Sequence, residues 1–313
     1  MTVSHPNKPN GKITTTRLPN KALTDPSQSS RIEILNEGGF RSDGRRQYEL
    51  REMTFDSTAQ AGADGSARVA HGLTEVLVSV FGPREARVRA QTLHDRAAIH
   101  VEASIAPFSS TSDRRRRGRG DKCVNPSPPQ SAVPSFFDMD FSFFWKCRRT
   151  LELAATIKAT FEPVVQTSLY PRSQIDIFVH VLQQDGGVLQ ASINATTVAL
   201  VNAGVPLADY VCAVTGGVHA AAPMLDLTSL EENDLPHVTV ASMPRSGHLT
   251  LVSMETRLHV DRFEEILRLA GEAGPVIHKE MRAVVRQRTK DLLDGMGKGL
   301  RESNPAEAMI EDE

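Results

Sequence analysis

The chain has 313 residues, with 36 Lys and Arg against 38 Asp and Glu, a formal net charge of −2, 40% hydrophobic residues and 24% charged ones. These are ordinary globular values, enough for one large domain or two small ones around a sizeable core. The balance excludes a polyanion binder that works by bulk charge, so any nucleic-acid surface has to be a local patch.

Residues 1–31 are rich in Pro, Asn, Ser and Thr without a periodic apolar face, which predicts a disordered arm and an ordered domain over 32–294. Strands are predicted over Thr74–Phe81, where Val76, Val78 and Val80 alternate with Leu77, Ser79 and Phe81, and over Ala98–Ile105. A helix is predicted over Leu151–Val165, with Leu151, Ala154, Ile157, Phe161 and Val164 on one face. Gln174–Leu182 alternates Ile175, Ile177, Val179 and Val181 as a further strand. A helix over Ala191–Ala203 ends at Gly204, with Pro206 two residues on. Val238–Met243 and His248–Met254 form a predicted hairpin around Arg245-Ser246-Gly247. Asp261–Leu293 is helical, with a kink or break expected at Gly274-Pro275. Residues 295–313 read as a frayed acidic tail.

Residues 123–147 stand apart, with five Phe, the single Trp and four Pro, and neither strand nor helix periodicity. They read either as an exposed aromatic docking loop or as a poorly ordered insertion. A retained intron would account for their foreign composition. Cys123, Cys147 and Cys212 make no CxxC pair and leave an odd number, which argues against a disulfide framework or a structural zinc site. With no apolar run long enough for a bilayer and no secretory signal, a reducing cytosolic or nuclear compartment is expected.

The most pointed local feature is Asp185-Gly186-Gly187 between a strand and a helix. Two glycines before a helix N-terminus suit a phosphate cradle, since backbone N–H groups and the helix dipole both favour an anion. The next residues, Val188 and Leu189, carry neither a donor nor a charge. The alternative is that Gly186 and Gly187 serve only a tight turn and close packing.

Five strings, in order, carry a resemblance: FRSDGRR (40–46), GADGSARVAHGLTEVLVSVFGPRE (62–85), YPRSQIDIFVHVLQQDGG (170–187), INATTVALVNAGVP (193–206) and MLDLTSLEEN (224–233). Together they resemble the RNase PH family over about residues 32–293. Within it, they look like the eukaryotic exosome ring subunit that corresponds to the active archaeal chain. The resemblance implies an α+β domain of the ribosomal protein S5 domain 2-like type, with two similar βαβ-type halves, mixed sheets and packed helices. It also implies a hetero-hexameric ring of RNase PH-like subunits threaded by single-stranded RNA. Cap subunits of S1/KH type and an associated hydrolytic ribonuclease are the further partners, in the nucleus, nucleolus and cytoplasm. No membrane, cofactor or metal ion is expected.

Active members bind phosphate with a Gly-Ser/Thr-Arg triplet, and the matching positions here are Gly187, Val188 and Leu189. The lost charge-assisted hydrogen bonds are worth on the order of 1.5–3 kcal/mol each. Active members also place two aspartates ahead of a strand. The matching positions are Glu232 and His237, with Asp234 an acid nearby but out of register. Asp234 is either a displaced catalytic acid or a loop solvator. Positive charge is retained in Arg84, Arg87 and Arg89, which match a channel-lining loop, and in Arg148 and Arg149, which match an RNA-contacting pair. The run Arg114–Arg117 with Arg119, including Arg115 and Arg116, is an RNA-binding stretch or a solvated face. Three functions follow: a non-catalytic, RNA-guiding ring subunit; an active phosphate-dependent 3′→5′ exoribonuclease; or a free-standing RNA binder or scaffold. The double loss at the phosphate and acid positions favours the first.

Overall fold

The computed structural model describes residues 34–36, 38–85, 93–109, 148–219 and 222–303, with side chains to residue 295. The expected N-terminal arm, Arg87, Arg89, the run Arg114–Arg119 and the insertion 123–147 lie outside the described residues.

The first sheet has the order β1-β2-β3-β5-β4 and the second β7-β6-β8-β9. The first is built from β1 (Met53–Asp56), β2 (Gly65–His71), β3 (Thr74–Glu85), β4 (Ala98–Ile105) and β5 (Ser173–Gln183). Its neighbours are antiparallel except β4 and β5, which are parallel and joined through helix α1 (Arg148–Phe161). The second sheet is built from β6 (Cys212–His219), β7 (Ala222–Leu225), β8 (His237–Ser242) and β9 (Leu249–Met254), all antiparallel neighbours. The two halves are therefore similar but not identical. In the second, β7 and β8 run parallel on either side of β6, linked by the short helix α3 (Ser229–Asp234).

Helix α2 (Val188–Asn202) lies between the sheets, packed on β2 and β3 on one side and on β6 and β8 on the other. It is buried on every side from Gln190 to Leu200, as expected for a helix with two apolar neighbours. Gly65 lets β2 approach it, since a Cβ there would stand 2.3 Å from the Ala199 carbonyl oxygen. Three buried polar residues of α2 face β6 at helical spacing. Gln190 Oε1 accepts from Thr215 N (2.5 Å), Asn194 exchanges two bonds with Ala213 (2.8 and 3.1 Å), and Thr197 Oγ1 donates to Val211 O (2.9 Å). They satisfy the edge of β6 that β7 is too short to reach, where unpaired backbone groups would be costly.

Helix α1 departs from expectation in two ways: it spans Arg148–Phe161 rather than reaching Val165, and Leu151 is exposed, while Ala154, Ile157 and Phe161 are buried. At Gly274-Pro275, where a kink or a break was expected, there is no break: helix α4 (Val260–Ser303) runs through Pro275 as one helix, because Ile266, Ala270, Ala273, Ile277 and Met281 form a single buried stripe on either side of the proline. Packing of that stripe against the second sheet outweighs the lost hydrogen bond at Pro275. The helix also continues to Ser303, into the stretch read as a frayed tail from 295.

Candidate functional site

β5 ends at Gln183, and the chain turns through Asp185-Gly186-Gly187 into α2. Gly186 and Gly187 have φ of +80° and +65°, the left-handed region that favours glycine. Neighbouring backbone leaves no room for a side chain at Gly186, and at Gly187 a Cβ would press on the ends of the Arg51 and Gln190 side chains. A Cβ on Gly186 would lie 2.5 Å from the Thr228 carbonyl carbon, and one on Gly187 would lie 2.9 Å from Arg51 Nη2. Both glycines thus serve the tight turn and close packing.

The turn is held from behind by a buried polar hub that the sequence reading did not find. Asp226, wholly buried and itself at φ +57°, accepts from Arg51 Nη2 (2.7 Å), Arg51 N (2.6 Å), Gln190 Nε2 (2.9 Å) and Arg45 Nη1 (3.3 Å). His71 Nε2 stands 3.0 Å from its Oδ2. Burial alone would raise the Asp226 carboxyl; His71 and Arg51 overcome it and hold the group far below the usual carboxylate range. Arg51 reaches on to Asp185 O (2.8 Å) and Leu227 O (3.1 Å), and Thr74 Oγ1 donates to Gly186 O (2.6 Å). Arg41 ties the N-terminal segment to the same region through Asp226 O (2.8 Å). The available signal was an acid, Asp226, placed between Leu225 and Leu227: a charge inside an apolar run has to find a partner.

In front of the turn lies a cavity of about 290 Å³. Its wall includes Gly187, Val188 and Leu189 from the turn, Arg149 and Glu152 from α1, Glu232 and Asn233 from α3, and His237 from β8. The structure therefore brings together Gly187, Val188, Leu189, Glu232, His237 and Arg149, six positions picked from three separate stretches of sequence. Gly186 sits behind this wall, against Thr228 and Ser229. Asp234 is exposed at the last position of α3 and does not line the cavity. The Arg148–Arg149 pair divides: Arg148 lies outside, paired with Glu152 at 2.8 Å, and Arg149 lines the cavity. Arg84 lies elsewhere, 3.3 Å from Asp64 and stacked over Phe81.

Glu232 Oε1 accepts the Gly187 N–H at 2.7 Å. Burial pushes the Glu232 carboxyl up from its ordinary value, and the Gly187 hydrogen bond and the charges of His237, Arg51 and Arg149 oppose that rise. His237 Nδ1 lies 3.3 Å from Leu235 O. The wall thus holds one guanidinium, one imidazole and three carboxylates, of Glu152, Glu232 and Glu255. At Val188 and Leu189, the first two helical positions, it is apolar. Among the described residues no group of three His, Cys, Asp or Glu could hold a metal ion. Cys212, the one described cysteine, is a buried free thiol pushed up to about 12 by burial.

Two linked α+β halves, with a helix-start turn at their seam and a polar cavity in front of it, define the architecture of the chain. The model for the 3′ exoribonuclease family matches in two parts, its domain 1 over residues 49–206 and its domain 2 over residues 209–273. The chain belongs to this family, the RNase PH family. It is 38% identical to the human (Homo sapiens) exosome complex component RRP41 over 262 residues, 83% of this chain and 96% of that one. It is 36% identical to the exosome complex component ski6 of Schizosaccharomyces pombe, covering 84% of this chain and 98% of the relative. Among solved structures, rice (Oryza sativa) Rrp46 superposes with a TM-score of 0.63 at 22% identity, over 79% of this chain and all of that one. An Archaeoglobus fulgidus exosome with RNA bound to the active site gives 0.59 at 20% identity, over 78% and 93%. These two likenesses bear out the RNase PH-like α+β fold.

Proposed function

We propose that this chain is a non-catalytic ring subunit of an RNA exosome. It binds single-stranded RNA and guides it through a central channel for 3′→5′ processing and degradation by an associated hydrolytic nuclease. Other RNase PH-like subunits complete the ring and S1/KH-type subunits cap it, in the nucleus and nucleolus and also in the cytoplasm. Kinship to exosome components over most of the chain supports the ring assignment. One observation carries the non-catalytic part: the first two positions of α2 facing the cavity are Val188 and Leu189, which give a phosphate neither a hydroxyl nor a guanidinium. Histidine at 237 and the outward placement of Asp234 support it further, since general acid chemistry requires the acid within hydrogen-bond reach. Arg149 contributes sequence-independent attraction for RNA phosphates.

Co-expression with partner ring subunits tests the assembly. Native mass spectrometry is expected to show a hetero-hexamer that retains single-stranded RNA at low salt. A solitary stable monomer in the presence of those partners would instead support a free-standing RNA binder.

A further inference from the structure

Helix α4 separates its charges by face. Ile266, Ala270, Ala273, Ile277 and Met281 turn one side of it into the core. Beside that stripe, Lys279, Arg282, Arg286 and Lys290 recur at spacings of three and four residues, so they line one flank over roughly 16 Å of helix. All four are exposed. Glu280 and Asp291 fall on the other flank, and Asp291 is taken by Gln287 at 3.0 Å. We infer that the basic flank of α4, together with Tyr210, binds the phosphodiester backbone of single-stranded RNA, as a contact separate from the cavity in front of Gly187. The inference rests on the reading of the chain as an RNA binder, and not on whether it is catalytic.

Three observations carry it. The first is that the charge is uncompensated. Among the described residues none of the four cations makes a hydrogen bond or an ion pair, whereas Arg262, earlier on the same helix, pairs with Glu265 at 3.1 Å. In a chain of net charge −2, such a flank is the local patch that a polyanion needs.

The second is an aromatic group set beside the cations. Tyr210 stands just ahead of β6, and its ring meets that of His278 edge-on, with centroids 5.0 Å apart. Arg282 and Arg286 follow one and two turns further along α4. Burial pushes the Tyr210 phenol up, and the charges of Arg282 and Arg286 oppose that rise, so both guanidinium groups stand near it. The ring is half-buried, and its hydroxyl makes no hydrogen bond among the described residues. Cations beside an aromatic side chain suit single-stranded nucleic acid, whose phosphates meet the guanidinium groups while a base stacks. An acidic protein surface would call for the cations alone.

The third is position. β8 starts in the cavity wall at His237 and ends at Ser242, roughly 17 Å further on. There α4 packs closely, since a Cβ on Gly274 would meet Ser242 Oγ at 3.0 Å. Ser242 pairs with Cys212 across the sheet, and Tyr210 lies two residues before Cys212. The flank is therefore at the end of the second sheet away from the cavity, and is not an extension of it.

The test titrates the full chain, alone and in its reconstituted ring, into fluorescently labelled oligouridylate across a salt series, read as anisotropy, with thermal melting to establish that each variant is folded. Arg282→Gln combined with Arg286→Gln is expected to weaken binding about tenfold at low salt and to lower the salt slope by about 1.4, the share of two phosphate contacts. Arg282→Lys with Arg286→Lys keeps the charge and is expected to keep the slope. Tyr210→Leu is expected to weaken binding with the slope unchanged, because stacking releases no counterions. Photo-crosslinking of 4-thiouridine RNA to the wild-type chain is expected to give adducts at Tyr210 and within residues 278–290. Folded glutamine variants that bind RNA like wild type, or crosslinks confined to the cavity wall, would overturn the inference and leave the RNA-guiding reading standing. Polyglutamate that competes as well as RNA of equal charge would assign the flank to an acidic protein and overturn it. Folded glutamine variants that no longer enter the ring would make the flank a subunit interface and overturn it too. A wild-type ring that binds no RNA at all would remove both readings.

Discussion

Arg148 and Arg149 are adjacent in sequence and belong to different environments. Arg148 spends its guanidinium on Glu152, one helical turn on, at 2.8 Å, with both side chains largely in water. Arg149 stands one residue further round the helix, in the cavity wall with Glu232 and His237. The two guanidinium groups face different surroundings, one on the outer face of α1 and one in the cavity wall, so they should not contribute equally to RNA binding. Arg149→Ala is expected to weaken binding of single-stranded RNA to the assembled ring and to lower the salt dependence by about 0.7 in slope. Arg148→Ala is expected to leave both nearly unchanged. Filter binding or fluorescence anisotropy across a salt series checks this, and equal effects would place the RNA contact outside the cavity.

At the scale of elements, the junction between the two halves rests on Asp226. It sits just past β7 and gathers Arg51 ahead of β1, His71 at the end of β2 and Gln190 in the first turn of α2. Asp226→Asn keeps the shape and removes the charge, leaving buried guanidinium groups without their counterion, a loss of about 3–5 kcal/mol. Urea denaturation at neutral pH checks it. The pH dependence has a definite sign. The Asp226 carboxyl is depressed in the fold, so its contribution is fully present above the unfolded carboxyl pKa of about 3.9 and is lost as pH falls below it. Wild type should lose stability through that window, and D226N should lack that part of the loss. Glu232 acts the opposite way, because a raised carboxyl costs the fold as pH rises past the unfolded value of about 4.3. The hub also marks where sequence reading runs out. β3, β4, β5, β8, β9, α2 and most of α1 were legible because their apolar periods are long and uninterrupted. β6 was not, because Gly216 and Gly217 interrupt its apolar run. A Cβ at these positions would meet Ile266 of α4 at 2.6 Å and Leu227 at 2.7 Å, so close packing rather than a turn requires them. The short β7 and the six-residue α3 are too brief to show a period. At Pro275 the expected break is absent, since a local breaker yields to a stripe buried on both sides of it. Of the candidate site, the cavity wall was legible as a set of positions through family resemblance. The partnership of Glu232 with Gly187 was not, because it depends on how α3 docks across the two halves.

At the scale of the whole molecule, the net charge of −2 gives no bulk attraction for a polyanion, so the proposed RNA contact has to be local and the proposed ring has to supply the rest of the path. The cavity wall has Val188 and Leu189 at the helix start, so those two positions present neither a hydroxyl nor a guanidinium, with His237 at the strand start and Glu232 on the turn. The most direct measurement is phosphorolysis by the reconstituted six-subunit ring with its cap proteins and no added nuclease. It is incubated with internally labelled single-stranded RNA, magnesium and inorganic phosphate. The account predicts RNA retained on the ring with no nucleoside diphosphate released. Phosphate-dependent release of nucleoside diphosphates, abolished by His237→Ala or Asp234→Ala in this chain, would contradict it and make this subunit an enzyme.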